Sequence, residues 1–361
     1  MPVKATDEAR RLLLDAIAAR VFPSAVAHIG SSAGLIWRDR LGTRTFEAES
    51  VPVTQTTPYD LASLTKPIAT TTVVMDLVRR GALRLDEPLA VCFSEWRGAD
   101  RESVTVRDLL EHSSGLPARL VDPPPAGRRE FEHDICVMPL EYEPRTRSVY
   151  SDLGFLLLGL LAEQRAGCAL DVGFDRIQRR LASADDVLAT ERLSFGLTGH
   201  AKLEAAPTLP LDGDLRRGRM LVGDVHDNYA AALRGIAGHS GLFGTAAGVA
   251  GFARLVLRAA RADRAMPEPL TPPDVEAFIT KSTVPGSSRA LGWDTMLPTS
   301  SCGTRMSPAA FGHVGFTGTS LWIDPLRDRY FLLLTNRACG GGTLEQMRAV
   351  RRAFHDTLAD L

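Results

Sequence analysis

Ser63 and Lys66 are the first residues whose types and spacing could do chemistry together. They lie at the start of an apolar stretch that predicts a buried helix over 61–80, with Pro67 in its first turn. A lysine at i+3 lies on the same helix face as the serine, and the helix N-terminus favours a developing alkoxide. A lysine kept partly neutral by burial can then act as the base. Taken alone, such a pair is more often a capping serine beside a solvated lysine.

A second polar group, Tyr150-Ser151-Asp152, precedes a very apolar segment. Ser151 is a typical N-cap and Gly167 a typical stop, so the sequence predicts a helix over 153–166. A tyrosine at the mouth of this helix could have its pKa lowered by a lysine ammonium and relay a proton. In isolation, it is more often a core tyrosine beside an N-cap.

Three glycines mark a third segment, which reads Gly312-His313-Val314-Gly315-Phe316-Thr317-Gly318. Glycine inside a strand lets a ligand or another backbone approach closely. Such a strand edge could offer a backbone N–H to an oxyanion, with His313 facing a cleft. A glycine-rich turn with a structural histidine explains the same residues.

The elements that must position these groups are strands at both ends of the chain and helices between them. The predicted terminal elements are a helix at 7–19, strands at 25–29 and 35–37, a turn at 38–42, strands at 320–323 and 330–334, and a helix at 344–358. From about 77 to 283 the pattern is almost wholly helical. We therefore expect an α/β (α+β) fold, in which 1–80 and 285–361 form one unit and 81–284 form an inserted helical subdomain. The active site is expected in the cleft between them.

Composition excludes several classes of protein. The 361 residues carry 42 Lys+Arg and 43 Asp+Glu, a net charge of −1, so no global field would steer nucleic acid or an anionic membrane. Five scattered cysteines without a C-x-x-C pair indicate neither a disulfide framework nor a zinc site. No apolar run approaches the roughly 18 residues of a membrane span, and no signal-peptide core is present. We expect a globular protein of the cytoplasm; a removed leader would leave the same pattern.

Together the three groups resemble the serine β-lactamase and penicillin-binding protein superfamily, in its class C branch, whose pattern is S-x-x-K, Y-x-N and K/H-x-G. Two further stretches are similar to that branch: LLEHSSGLP at 109–117 and GFTGTSLWIDP at 315–325. Order and spacing agree over nearly the whole chain. The resemblance implies a β-lactamase/transpeptidase-like fold, with an antiparallel sheet flanked by helices. It also implies hydrolysis of an amide or ester through an acyl-enzyme, without metal or cofactor.

The resemblance implies a role for each matching catalytic residue. Ser63 would be the acylated nucleophile, and Lys66 and Tyr150 would share the general-base and general-acid duties. His313 would stand where the family carries Lys or His. The backbone N–H groups of Ser63 and Phe316 would form the oxyanion hole.

On the substrate side the resemblance assigns Asp152, Gly315 and Thr317, yet two positions depart from the family. Asp152 replaces an Asn that donates a hydrogen bond to the substrate; a carboxylate cannot donate, and near Lys66 it would raise the pKa of the lysine. His313 replaces the Lys, a permanent cation that would grip a substrate carboxylate. We therefore expect substrates with a donor or a cation near Asp152, and poor hydrolysis of penicillins.

The expected substrate is a small molecule or a peptide-like acyl compound, and two enzyme classes stay open. These are a peptidoglycan-fragment amidase or peptidase and a small-ester hydrolase, both favoured over an efficient antibiotic-degrading β-lactamase. The alternative is a catalytically weak protein that binds muropeptides or acyl peptides on the same fold. The sequence assigns no role to His226 or His239 and does not give the oligomeric state.

Overall fold

The computed structural model describes residues 2–120 and 123–361. Its strands are β1 (Ser24–Ser31), β2 (Gly34–Gly42), β3 (Tyr59–Asp60), β4 (Ser194–Phe195), β5 (Leu242–Gly244), β6 (Asp294–Thr295), β7 (Phe311–Val314), β8 (Ser320–Asp324) and β9 (Arg329–Thr335). Its α-helices are α1 (Pro2–Ala18), α2 (Thr71–Arg79), α3 (Leu89–Cys92), α4 (Val106–Leu110), α5 (Arg128–Val137), α6 (Asp152–Ala166), α7 (Leu170–Leu181), α8 (Asp186–Thr190), α9 (Gly199–Glu204), α10 (Asn228–Ala232), α11 (Ala246–Ala260), α12 (Pro272–Ile279) and α13 (Leu344–Leu358).

The main sheet is antiparallel and joins the two ends of the chain. Its strand order is β2-β1-β9-β8-β7-β6, so β1 from the N-terminal part pairs with β9 from the C-terminal part. Apolar side chains alternate between its two faces, because successive strand residues point to opposite sides. Phe331 and Leu333 belong to the core under α1 and α13, whereas Leu332 and Leu334 belong to the larger core. The expected sheet from both termini, flanked by helices, is confirmed.

Two local expectations are wrong. Residues 38–42 are not a turn, because β2 continues to Gly42 and the hairpin closes at Ser31 and Gly34. This edge strand faces solvent and carries charged residues, so its sequence lacks the alternation of apolar and polar residues that predicts a strand. The segment 81–284 is also not wholly helical: β4 and β5 join β3 in a small sheet of order β3-β5-β4, and α11 packs on the main sheet. The boundaries of a separate subdomain stay a prediction.

Helix α6 forms the centre of the helical part and is buried from Asp152 to Ala162. The Ser151 hydroxyl caps its first turn by accepting from the Gly154 amide at 3.3 Å, and Gly167 ends it with a left-handed φ of 65°, as predicted. Among the described residues, no single helix is long and apolar enough to cross a membrane, and α6 with α7 reaches that length only as a pair bent by 72°.

The backbone at Gly238 lies directly against α6. A Cβ at this position would lie 1.9 Å from the Phe155 carbonyl oxygen and 2.8 Å from the Gly159 nitrogen. Gly238→Ala should therefore force the loop away from the helix and lower the free energy of unfolding by about 1–3 kcal/mol, as overpacking does. Urea unfolding measures this loss.

Gly213 provides the matched control. A Cβ at this exposed glycine would meet nothing within 4 Å, so Gly213→Ala should stay within about 0.5 kcal/mol of the native protein. Equal stability of the two variants would show that the contact between the loop and α6 is not tight.

Candidate active site

Ser63 lies in a strained turn after β3. The predicted single helix over 61–80 is a 3₁₀ turn at Ala62–Leu64, a π-helical turn at Lys66–Thr70 and then α2. Ala62 adopts a left-handed φ of 48°, a conformation that non-glycine residues keep only where their surroundings impose it. Here the buried Asp60 carboxylate accepts from the Ala62 amide at 2.8 Å, and burial raises the pKa of Asp60 to about 6.

Lys66 is fully buried and donates to three acceptors. Its Nζ lies 2.9 Å from Ser63 Oγ, 2.7 Å from Asp152 Oδ1 and 3.0 Å from the carbonyl oxygen of His239. These contacts use all three hydrogens of an ammonium. Burial alone would lower the pKa of Lys66, but Asp152 and Tyr150 outweigh it, so the pKa lies above its ordinary value. Lys66 is therefore a cation at neutral pH. The expected effect of Asp152 agrees with this, whereas the expectation of a lysine kept partly neutral by burial is wrong.

Tyr150 completes the contacts of the nucleophile. Its hydroxyl donates to Ser63 Oγ at 2.8 Å, and Lys66 Nζ lies 4.9 Å from the centre of its ring. The expectation of a lowered pKa is wrong: desolvation raises the pKa of Tyr150, Asp152 adds to this, and Lys66 compensates only in part. Lys66 and Tyr150 thus both hold their protons at neutral pH, so we predict that Ser63 is activated when this pair gives up one proton.

A chain of alternating charges extends behind Lys66. Asp152 Oδ2 accepts from Arg119 Nη1 at 3.0 Å, and the same nitrogen lies 2.9 Å from Asp227 Oδ2. Asp227 Oδ1 lies 2.7 Å from His239 Nε2. Burial opposes ionisation, yet the partners lower the pKa of Asp152, and His239 and Arg119 bring the pKa of Asp227 well below its usual range. Two cations thus balance two carboxylates in a buried network.

This network corrects the expectation for Asp152. Its two oxygens are engaged by Lys66 and Arg119, so Asp152 does not present a free carboxylate to a cationic substrate. Asp152, Asp227 and Arg119 all line the cavity at this point, and the Arg119 guanidinium lies 4.0 Å from the centre of the Tyr229 ring. Arg119 thus adds to the substrate side a positive charge that the sequence did not assign.

The glycine-rich segment packs against the turn that carries Ser63. A Cβ at Gly315 would lie 2.1 Å from Thr319 Oγ1 and 2.7 Å from the Leu61 carbonyl oxygen, so this approach needs a glycine. Among the described residues, the Phe316 amide donates to no partner, and the side chain of Phe316 lines the cavity. Gly315 and Phe316 thus line the same cavity as Ser63, and their roles stay predictions.

Thr317 has a different role from the one predicted. It is buried, and its hydroxyl donates to the Asp60 carbonyl at 2.8 Å. Its side chain therefore ties the glycine-rich segment to the Ser63 turn instead of contacting substrate. The reason is that burial leaves this hydroxyl no other acceptor than the neighbouring backbone.

His313 lies buried on the wall of the cavity. Its Nδ1 is 2.9 Å from the carbonyl oxygen of Val314, and since a carbonyl can only accept, Nδ1 carries the hydrogen and Nε2 is a free acceptor. Burial, with Lys66 and Arg289 nearby, holds the pKa of His313 well below its ordinary value. His313 is thus a neutral proton acceptor and supplies no cation.

The cavity in front of Ser63 has a volume of about 510 Å³. The His226 ring stacks on Phe316 at 5.2 Å on its wall, and burial lowers the pKa of His226 to about 4. Four arginines also line it, namely Arg119, Arg289, Arg348 and Arg351. Sequence reasoning missed Arg119 and Arg289, because neither lies in a motif and only folding brings them to Tyr150 and Asp152.

The Beta-lactamase family model matches residues 9–354. The chain belongs to the β-lactamase family. It is 30% identical over 320 residues to a protein of Escherichia coli O157:H7 provisionally named D-alanyl-D-alanine carboxypeptidase, covering 80% of this chain and 71% of that protein. It is 29% identical over 313 residues to the N-acetylmuramyl-L-alanine amidase of Bacillus subtilis (strain 168), covering 78% of this chain and 68% of that protein.

Among solved structures, a class C β-lactamase from Rhodobacter sphaeroides has the same fold. It superposes with a TM-score of 0.73 at 18% identity and covers 96% of this chain and 97% of its own. The expected superfamily is confirmed, and the chain is a β-lactamase-related serine hydrolase. The roles of the individual site residues stay predictions.

Tyr150→Phe tests the proton carrier of this hydrolase. The variant keeps the ring between His112 and Lys66 but removes the hydroxyl that contacts Ser63 Oγ. We expect kcat/KM for an aryl ester to fall about 10²–10⁴-fold, the usual effect of losing a positioned acid or base. Tyr330→Phe, on β9, should stay within threefold of the native rate, and a loss below about tenfold in Tyr150→Phe would exclude the assigned role.

Asp152 controls the protonation of the pair that activates Ser63. Because it raises the pKa of both Lys66 and Tyr150, kcat/KM should rise with pH as the pair loses its first proton. In Asp152→Asn the rising limb should move to lower pH by about one unit or more, since an opposite charge no longer holds the proton on Lys66. The pH profile for a neutral aryl ester measures this shift.

The control for that profile is Asp86→Asn, which removes an exposed carboxylate paired with Arg84. It should leave the limb in place. A limb that also stays in place in Asp152→Asn would show that another group sets the protonation of the pair.

Proposed function

We propose that this hydrolase cleaves an amide bond next to a free carboxylate in peptide-like substrates of the peptidoglycan-fragment type. The observation that carries the proposal is the charge of the cavity wall. Four arginines line the cavity against three carboxylates, and two of these carboxylates, Asp152 and Asp227, are already paired with Lys66 and Arg119. An anionic substrate would complete the balance of charge.

Arg289 is the best-placed group to bind the carboxylate. Its guanidinium carbon lies 5.3 Å from the centre of the ring of Tyr150, whose hydroxyl contacts Ser63. Its nearest ion-pair partner, Asp294, lies at 3.9 Å, the edge of an ionic contact. A guanidinium fork binds a carboxylate through two parallel hydrogen bonds. Arg289 would thus supply the cation that the neutral His313 does not.

The reaction follows from the contacts of Ser63. The Lys66–Tyr150 pair, having released one proton, accepts the proton of Ser63 as Oγ attacks the carbonyl carbon. The oxyanion is bound by the amides of Ser63 and Phe316, and the pair returns the proton to the departing amine. Water then attacks the acyl-enzyme by the same proton route and releases the acid.

Two further facts support this proposal. The named relatives include a carboxypeptidase and an amidase, both of which act on amide bonds. Ser63 Oγ also lies at hydrogen-bond distance from both Lys66 Nζ and the Tyr150 hydroxyl, an arrangement that a weak binding protein would not need. Both facts favour amide hydrolysis over a binding role.

The test compares a blocked Lys-D-Ala-D-Ala peptide with the same peptide carrying a C-terminal amide. The native hydrolase should release D-alanine from the free acid faster than it cleaves the amide. Arg289→Gln should lower kcat/KM for the free acid about 10- to 100-fold, the value of one hydrogen bond to a charged group, and leave the amide unchanged. Arg264→Gln, an exposed arginine outside the cavity, is the control.

Each other outcome identifies an alternative. Equal cleavage of acid and amide would overturn carboxylate recognition. Turnover of an aryl ester without release of D-alanine would favour an esterase. A binding protein would be favoured if no substrate is turned over and if a fluorophosphonate does not label Ser63, with Ser63→Ala as the unlabelled reference.

A further inference from the structure

A buried guanidinium contacts the peptide group between Gly315 and Phe316. Arg351, on α13, is 5% exposed, and its Nη2 donates to the Gly315 carbonyl at 2.6 Å and to the Thr319 carbonyl at 2.9 Å. The Gly315 carbonyl and the Phe316 amide belong to the same peptide group. The Arg351 cation therefore contacts the carbonyl of the peptide group whose N–H is the assigned oxyanion donor.

Arg351 lacks the partner that a buried cation normally has. Within residues 2–120 and 123–361, its hydrogen-bond partners are two backbone carbonyls, and its Nε has none. Burial of a charge without an opposite charge is costly. Burial, with Arg337 nearby, lowers the pKa of Arg351 to about 9, so the guanidinium is still a cation at neutral pH. Because burial of this cation costs free energy, its presence indicates that a positive charge has a function beside the Gly315–Phe316 peptide group.

The neighbouring contacts hold the same peptide group in place. The Gly315 amide donates to the Thr319 carbonyl at 2.8 Å, so Arg351 bridges both carbonyls of this turn. On the far side of Phe316, Arg337 Nη2 donates to the Phe316 carbonyl at 2.8 Å, and its guanidinium lies 4.7 Å from the centre of the ring. The two arginines thus fix the backbone before and after the Phe316 amide.

We propose that Arg351 is a positioning residue of the oxyanion hole, which polarises and orients the Gly315–Phe316 peptide toward Ser63. A carbonyl that accepts from a cation makes the N–H of its own peptide group a stronger donor, because hydrogen bonds in a chain polarise one another. The fixed positive charge also favours the negative charge that develops on the substrate oxygen. The proposal rests on the acyl-enzyme function proposed above and on Phe316 as an oxyanion donor.

The test separates the transition state from the ground state. Arg351→Gln and Arg351→Met remove the charge, whereas Arg351→Lys keeps it with fewer donors. We expect kcat for an aryl ester to fall about 10- to 100-fold in the first two, less than the 10²–10³ of losing an oxyanion donor outright. Arg351→Lys should recover most of the rate. Arg305→Gln, a surface arginine that contacts α13 at the Asp356 carbonyl, is the control.

A boronic acid that forms a tetrahedral adduct with Ser63 supplies the decisive readout. Its affinity should fall by the same factor as kcat, whereas the Kd of the intact ester, measured in the Ser63→Ala background, should not change. An equal loss of ester affinity would make Arg351 a substrate-binding residue and overturn the proposal. Unchanged boronate affinity in both Arg351→Gln and Arg351→Met would do the same.

The test remains decisive if one variant does not fold or if D-alanyl peptides are not substrates. Should Arg351→Met not fold, Arg351→Gln and Arg351→Lys give the same comparison. The ester and the boronic acid do not require peptide recognition, so they report on Arg351 even if D-alanyl peptides are not substrates. A native protein that forms no boronate adduct would overturn the role of Ser63 and this proposal with it.

Discussion

The buried ammonium of Lys66 is the charge on which the rest of the cleft depends. It needs Asp152 as a counter-charge, Asp152 shares Arg119 with Asp227, and Asp227 pairs with His239, whose carbonyl oxygen accepts from Lys66 again. The ring of contacts is closed. Removal of Asp152 would leave the Lys66 ammonium buried without a counter-charge, which costs far more than the loss of an exposed ion pair.

This ring also determines what remains for the substrate. Asp152 and Asp227 are paired inside the protein, while the half-buried Arg119 and Arg289 line the cavity. Within the ring, Asp152 raises the pKa of both Lys66 and Tyr150, although desolvation is the larger cause for Tyr150. Substrate charge and pH dependence are thus two consequences of one arrangement of buried charges.

The other half of the site is made of backbone. The Ser63 turn and the glycine-rich segment come from opposite ends of the chain and are joined by the hydroxyls of Thr317 and Thr319, which donate to the carbonyls of residues 60 and 61. Gly315 permits this close approach because it has no side chain. The packing of the two segments also maintains the strained backbone of Ala62. Two amides from distant segments can therefore be aimed at one point without a side chain in the way.

The sequence by itself determined the features that depend on neighbours along the chain. The i, i+3 spacing of Ser63 and Lys66, the Ser151 cap and the Gly167 stop are local, and the apolar strands of both termini predicted the main sheet. Only the tertiary structure decided the rest. Arg119 and Arg289 lie outside the motifs, and the direction of the pKa of Tyr150 depends on desolvation that no short segment encodes. Local geometry follows from short-range sterics and hydrogen bonds, whereas the electrostatics of a buried site follows from the distant charges that folding brings within a few ångströms.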